Sequence, residues 1–449
     1  VRASSLQGSA TYGRSRRSTW LRAPGRLRSP DSPLAIIGVI FGALILGYLL
    51  FTRASLDFRI YLIWAFAVSA LSLALVIKYA STRRALWLVV AIGLMVKLFG
   101  SALRYEVIFR AYEGVADALG YYGRGLTIAR DLWQFDLNSL LGSGDGSIWG
   151  TEFVTKMTGV AVAVSGPSMR AAFLLYALLA FVGVLLFASA YGRVPGSKPV
   201  TYLAWLVLWP SLFFWPSSVG KEAFLLFGLG LAVWGFAHFP RIAAWPALAF
   251  GLLAVGMVRP HVAGVAMLAM CAGALMASGS RGLIGRWYFQ SIFWIGALAL
   301  TVYLSSSALG IETTEEAVDL VERQAGLSAI GGSATDAAGL SWMQIPQALA
   351  NTLFRPYVWE ASSALLAISA AEILVLIALV IWRRRALWAS LRGWRTHRLI
   401  GFCIVFVILY GLMLGYSMSN VGIIARQRVL LLPMLLLLLQ QRDSEPEGT

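Results

Sequence analysis

The chain has 449 residues, of which 59% are hydrophobic and only 13% charged, whereas soluble domains carry roughly a quarter charged residues; an ordinary water-soluble domain is excluded. With 37 Lys and Arg against 21 Asp and Glu the net charge is +16. In a chain whose apolar runs recur from Pro33 to Leu439, that excess belongs to basic loops against anionic lipid rather than to a nucleic-acid partner.

Residues 1–32 hold seven Arg and one Asp among Ser, Gly and Pro, and read as a disordered basic cytoplasmic tail. Residues 33–440 are expected to form one transmembrane domain, and 441–449 a short C-terminal cytoplasmic tail. Apolar runs place spans at 33–51, 59–79, 85–103, 169–190, 199–215, 222–238, 242–258, 262–278, 288–308, 357–382, 399–416 and 429–440. The last run is short, and extending it back through "VGIIARQR" lengthens it. The expected fold class is therefore all-α integral membrane: a polytopic helical bundle of about 12 transmembrane helices with two larger extracytoplasmic loops, 104–168 and 309–356.

Loop charges orient this bundle. With the N-terminus inside, the inner loops are 78–84, 191–198, 238–241, 278–286 and 382–398, all basic and all free of Asp and Glu. Both termini then lie in the cytoplasm, and most acids fall in the two long outer loops. Within the second of these, 313–327 reads as an amphipathic surface helix capped at Thr313 or Thr314, followed by a Gly- and Ser-rich loop. Cys271 and Cys403 sit in separate apolar runs without metal-ligand spacing and read as packing residues.

Charged residues that break the apolar pattern gather on the outer side. In the first outer loop Asp117 and Tyr121 are four apart and share a helix face, with Glu113 four before Asp117. A carboxylate there suits a general base, or a ligand for a divalent cation with phosphate oxygens. Equally, these acids fit a solvated helix paired to Arg124 and Arg130. In "FWPSSVGKEA", 214–223, a Pro-Ser-Ser-Gly break precedes Lys221 and Glu222. Lysine at a helix start offers an anion seat, or the pair is an interfacial turn. The tight turn "MVRPHV" carries Arg259 and His261, an anion clamp beside a possible base. "LFRPYVWEASSALL" carries Arg355 just before a span and Glu360 just inside it. Finally Arg426 and Arg428 enter an apolar segment with no nearby acid in sequence. Arginine at membrane depth costs at least a few kcal/mol unless paired or hydrated. Two such residues argue for a polar cavity with an anionic ligand, against simple snorkelling to headgroups.

The strings "ADALGYYGRG", "FWPSSVGKEA", "FRPYVWEA" and "SNVGIIARQRVLLLP" together resemble bacterial multi-spanning envelope glycosyltransferases, the C-type glycosyltransferases and O-antigen polymerase-like proteins. The resemblance is carried by short patches between about 112 and 433. It implies transfer of a sugar or growing glycan from a polyprenyl-phosphate or -diphosphate donor, outside the cytoplasmic membrane, onto a glycan acceptor. Asp117 takes the place of the outer-loop acid that acts as base or holds metal in C-type enzymes, although no second acid completes a D-x-D or E-x-D pattern. The pairs Arg259–His261 and Arg426–Arg428 fit the metal-independent version, in which outer arginines hold the diphosphate. On this reading Asp117 or His261 activates the acceptor; Lys221, Glu222, Arg259, Arg355, Glu360, Arg426 and Arg428 bind substrate; and Tyr121, Trp215 and Trp359 stack on sugars. No resident cofactor is expected, a divalent cation staying open. The rival readings are a polytopic transporter or lipid-linked glycan flippase, which also suits broken helices and buried arginines, and a noncatalytic envelope scaffold.

Overall fold

A computed structural model describes residues 54–79, 83–142, 148–277, 294–303, 313–328 and 342–440, with single positions 47, 52, 292 and 306. The chain divides into two units, 1–54 and 55–449; everything below concerns the second. The basic tail, the expected span 33–51 apart from Gly47, the expected inner loop 278–286, the loop after residue 328 and the C-terminal tail lie outside the described residues.

All regular structure among the described residues is helical. Ser55 starts α1 (Leu56–Lys78), its hydroxyl accepting from the Phe58 N–H. α2 runs from Arg84 to Arg110, longer than the apolar run suggested. The first long loop is itself helical, with α3 (Asp117–Trp133) packed along α4 (Thr151–Ser165). Ser168 caps α5 (Met169–Tyr191), accepting from the Ala171 N–H.

The expected span 199–215 is broken. Pro210 cannot continue the ladder, so the segment splits into α6 (Pro199–Leu208) and α7 (Pro210–Phe214). α8 (Lys221–His238), α9 (Ala244–Val258) and α10 (Pro260–Met276) follow, the last starting on a proline pre-set for the first helical turn. Then come α11 (Trp294–Tyr303), the predicted amphipathic helix α12 (Thr314–Ser328), α13 (Ile345–Phe354), α14 (Ala364–Trp382), α15 (Arg384–Arg392) and α16 (Arg398–Ser417). The final expected span is bent by 61° between a segment containing α17 (Val421–Gln427) and α18 (Leu432–Leu438).

Among the described residues five helices are long and apolar enough to cross a membrane, six if that bent pair counts as one span. α6, α9, α10 and α11 are shorter apolar helices. The chain is thus a helical membrane protein. Its centre is α8, packed on one side against α5 and on the other against α9. Close approach there needs residues without side chains. A Cβ on Gly183 of α5 would lie 2.5 Å from the Leu226 carbonyl oxygen of α8, and one on Gly251 of α9 would lie 2.3 Å from the Ala232 nitrogen.

Several polar groups around the break at Pro210 are met by buried side chains. Lys97 of α2 donates to the Leu212 carbonyl at 2.8 Å, and Ser217 donates to that of Phe213. On the opposite side Glu372 of α14 accepts from the Ser211 N–H at 3.0 Å, from the Ser211 hydroxyl at 2.6 Å and from the Trp209 indole. A helix break without water must be closed this way. The break holds α7 and the turn after it beside α2, so that Arg104, Ser218 and the start of α8 meet.

Candidate functional site

Glu222 is the hub. It sits in the first turn of α8 with its side chain 3% exposed. Arg426 of α17 grips it twice: Nε lies 2.8 Å from Oε1, and Nη2 donates to Oε2 at 2.8 Å. The second contact is a hydrogen bond; the first is an ion-pair approach, and Oε1 stays buried without a hydrogen bond of its own. Arg259, at the junction of α9 and α10, brings Nη2 to 3.8 Å from the same Oε1. The third Arg426 nitrogen, Nη1, points towards Asp117 Oδ2 at 3.8 Å. Asp117 starts α3 and is largely exposed. Residues far apart in sequence thus form one charge network. Asn420 fixes its last member: its side chain accepts from the Gly422 and Ile423 N–H groups and starts α17 in place.

Beside this network lies a cavity of about 290 Å³, lined among others by Arg104, Asp117, Trp215, Ser218, Asn420 and Arg426. Arg104 was not among the residues expected from sequence. It is 5% exposed, its Nε donates to Ser218 at 3.4 Å, and its Nη1 is buried without a hydrogen-bond partner. Its guanidinium lies 4.8 Å from the centre of the Trp215 ring and 5.0 Å from that of Phe214. The signal was present: an arginine follows the apolar run "LFGSAL" directly, but it reads as an interface anchor if the span is ended at 103. Tyr112, Trp215 and Gly422 also line an adjoining groove of about 370 Å³, whose other walls include Leu365, Leu366 and Ala425. A cationic cavity and a more apolar one therefore share a wall.

Other expected site residues fall elsewhere. Lys221, Arg259 and His261 line a second cavity, of about 460 Å³, against Leu320, Val321 and Gln324 of α12. Arg355 and Glu360 form their own fork: Arg355 Nε donates to Oε1 at 2.9 Å and to Oε2 at 3.1 Å, and Nη2 also reaches Oε1. Burial opposes ionisation of Glu360, but the Arg355 bonds and the Tyr357 N–H outweigh it and hold the carboxyl below its ordinary value. This pair lines none of the three spaces just described.

Arg428 does not join Arg426 at a common cavity. Two residues on from Arg426, it falls on the other side of the same helical segment, fully buried, where Nη1 donates to the carbonyls of Thr352 at 3.2 Å and of Arg355. It fastens the backbone of the Arg355 turn. Tyr121 is buried in the core with no ring face open for stacking, but it sits close enough to the network to interact with Asp117, Arg426 and Glu222. Glu113 is exposed in a turn with φ 50°, ahead of the helix, so it does not share the Asp117 face. Arg124 lies 3.9 Å from Glu152 rather than pairing with Asp117. Trp359 is exposed and stacks on Tyr357 at 4.9 Å. Among the described residues no group of three His, Cys, Asp or Glu side chains comes together.

Chemically, the first cavity offers fixed positive charge, an aromatic face, an exposed carboxylate on its rim and an apolar extension. No family model matches this chain, and neither a curated protein nor a solved structure matches it significantly.

Proposed function

We propose that the protein is a membrane glycosyltransferase or glycan polymerase. It uses a sugar donor linked to a polyprenyl phosphate or diphosphate, on the extracytoplasmic side of the cytoplasmic membrane, in cell-envelope polysaccharide or glycoconjugate synthesis. In this reading the basic loops and both termini face the cytoplasm, in a bundle of about 12 spans. The observation that carries the reading is the adjacency of the two spaces: Arg104, whose Nη1 has no well-formed hydrogen bond, and Arg426 line a cavity that shares the walls Tyr112, Trp215 and Gly422 with an apolar groove. A phosphate ester of a long isoprenoid matches that sequence of surfaces, head in one and chain in the other.

The donor phosphate seats between Arg104 and Arg426, with Ser218 as a further donor. The acceptor hydroxyl oxygen attacks the sugar's anomeric carbon, and the bond from that carbon to the phosphate oxygen breaks. The hydroxyl proton passes to the Asp117 carboxylate. The lipid phosphate leaves with the bonding pair, and its growing charge is met by guanidiniums already in place. Glu222 does not react; it holds Arg426 and Arg259 and keeps their net charge low until the anion arrives. His261 lines the other cavity, so Asp117 is the base here. Trp215 offers a face for the sugar ring.

The test is transfer of radiolabelled sugar from synthetic polyprenyl-phosphate donors to glycan acceptors by the purified protein in nanodiscs. Asp117→Asn and Arg104→Ala are each expected to lose about a hundredfold or more in rate. Wild-type rates in Asp117→Asn would overturn the mechanism. The helix breaks at Pro210 and before Leu432 favour one competitor, a flippase. Movement of a fluorescent polyprenyl phosphate between leaflets, with no sugar transferred from any donor, would establish that reading instead.

A further inference from the structure

The second cavity is not used by the mechanism above, yet it is built from charge. Lys221, Arg259 and His261 line it, and among the described residues on its walls there is no carboxylate. Arg259 divides its guanidinium between two environments. Nη2 reaches back to Glu222 at 3.8 Å, while Nη1 is buried without a well-formed hydrogen bond and the only other side chain the guanidinium interacts with by hydrogen bonding is the neutral Tyr410 hydroxyl, among the described residues. An unmet N–H donor on a charged group beside a lysine and the start of α8 is costly unless an anion completes it. The other walls include Val258, Met413, Leu320 and Val321, so the space suits a phosphate carrying an apolar substituent. Its volume of about 460 Å³ exceeds that of the first cavity.

The two cavities stand on either side of one carboxylate. Arg426 lines the first and Arg259 the second, and both are held by Glu222 Oε1. We propose that the Lys221–Arg259–His261 cavity is a second anion-binding site, for a phosphate or diphosphate group, coupled to the first through Glu222. The coupling is unfavourable in sign. An anion on Arg259 adds negative charge close to the Glu222–Arg426 pair, so a second anion on Arg426 meets a weaker field. Each ligand therefore promotes release of the other. This inference stands on the cavity and its charges and does not depend on sugar transfer.

Equilibrium filtration of the full chain in phosphatidylcholine nanodiscs tests it, with radiolabelled inorganic pyrophosphate and geranyl diphosphate as probes. Two sites per chain are expected for at least one probe, the second filling at least about fivefold more weakly than the first when both are occupied. Pyrophosphate at both sites would make the natural ligand of the second a free anion; geranyl diphosphate alone would make it an apolar ester. Arg104→Met is expected to remove one site and Lys221→Met the other. Gln324→Glu, on the exposed face of α12 and so harmless to folding, places a carboxylate at the second cavity and should weaken that site alone, about tenfold. One site per chain for both probes overturns the proposal, as does a second site untouched by both Lys221→Met and Gln324→Glu. Two sites that fill independently overturn the coupling.

Discussion

At the scale of single residues, the arrangement turns on Glu222. Its charge is buried and compensated by two guanidiniums, and such a partner cannot be removed cheaply. Glu222→Gln leaves Arg426 and Arg259 side by side without an anion between them. It is expected to lower stability by about 3–5 kcal/mol, measured by thermal unfolding in detergent. The double variant Glu222→Gln/Arg426→Gln should recover part of that loss, because it removes the stranded charge as well. Additive losses in the double variant would show that the two side chains do not act as a pair. Sequence pattern located these residues one by one, since each is a charge set against apolar neighbours. It could not pair them: Glu222 and Arg426 are 204 positions apart, and only folding brings them into contact. For the same reason Arg428 looked equivalent to Arg426. Two positions separate them, which on a helix puts them on opposite sides; that much the spacing held, but the carbonyls of Thr352 and Arg355 that receive Arg428 come from a distant stretch no local pattern encodes.

At the scale of elements, hydrophobic runs marked most helices well, and the amphipathic α12 fell within a residue of its expected start and end. They did less well where a helix breaks. The run 199–215 is apolar throughout, and its interruption at Pro210 is made tolerable by Lys97 and Glu372, which come from other helices. Packing also depends on absent side chains. A Cβ at Gly183 would press on the backbone of α8, whereas one at Gly120 meets nothing within 4 Å. Gly183→Ala should therefore destabilise the fold by roughly 1–3 kcal/mol through overpacking. Gly120→Ala, inside an exposed helical turn, should be neutral or stabilise slightly. Equal unfolding temperatures for the two variants would mean that α5 and α8 do not meet as closely as described.

At the scale of the whole molecule, the charge distribution predicts which end of the bundle meets which compartment. Cys271 and Cys403 are buried, so thiol labelling reports on introduced cysteines. Val115, beside the first cavity, and Trp382, at the C-terminal end of α14, are both strongly exposed. In intact cells an impermeant maleimide should label Val115→Cys and spare Trp382→Cys, with the order reversed in inside-out vesicles. The opposite pattern would turn the protein over and remove the extracytoplasmic assignment. The bend before α18 has one more consequence, and it concerns biosynthesis. The segment that carries Arg426 is then locked by α18, whose carbonyls are held by Tyr202 at Pro433 and by Ser390 at Leu438. A ribosome adding about 5–20 residues per second reaches codon 426 roughly 10–40 s after codon 222. Throughout that interval the nascent carboxylate has at most Arg259 to lean on. A chain halted upstream of codon 426 lacks the closer of the two guanidiniums that neutralise this buried acid.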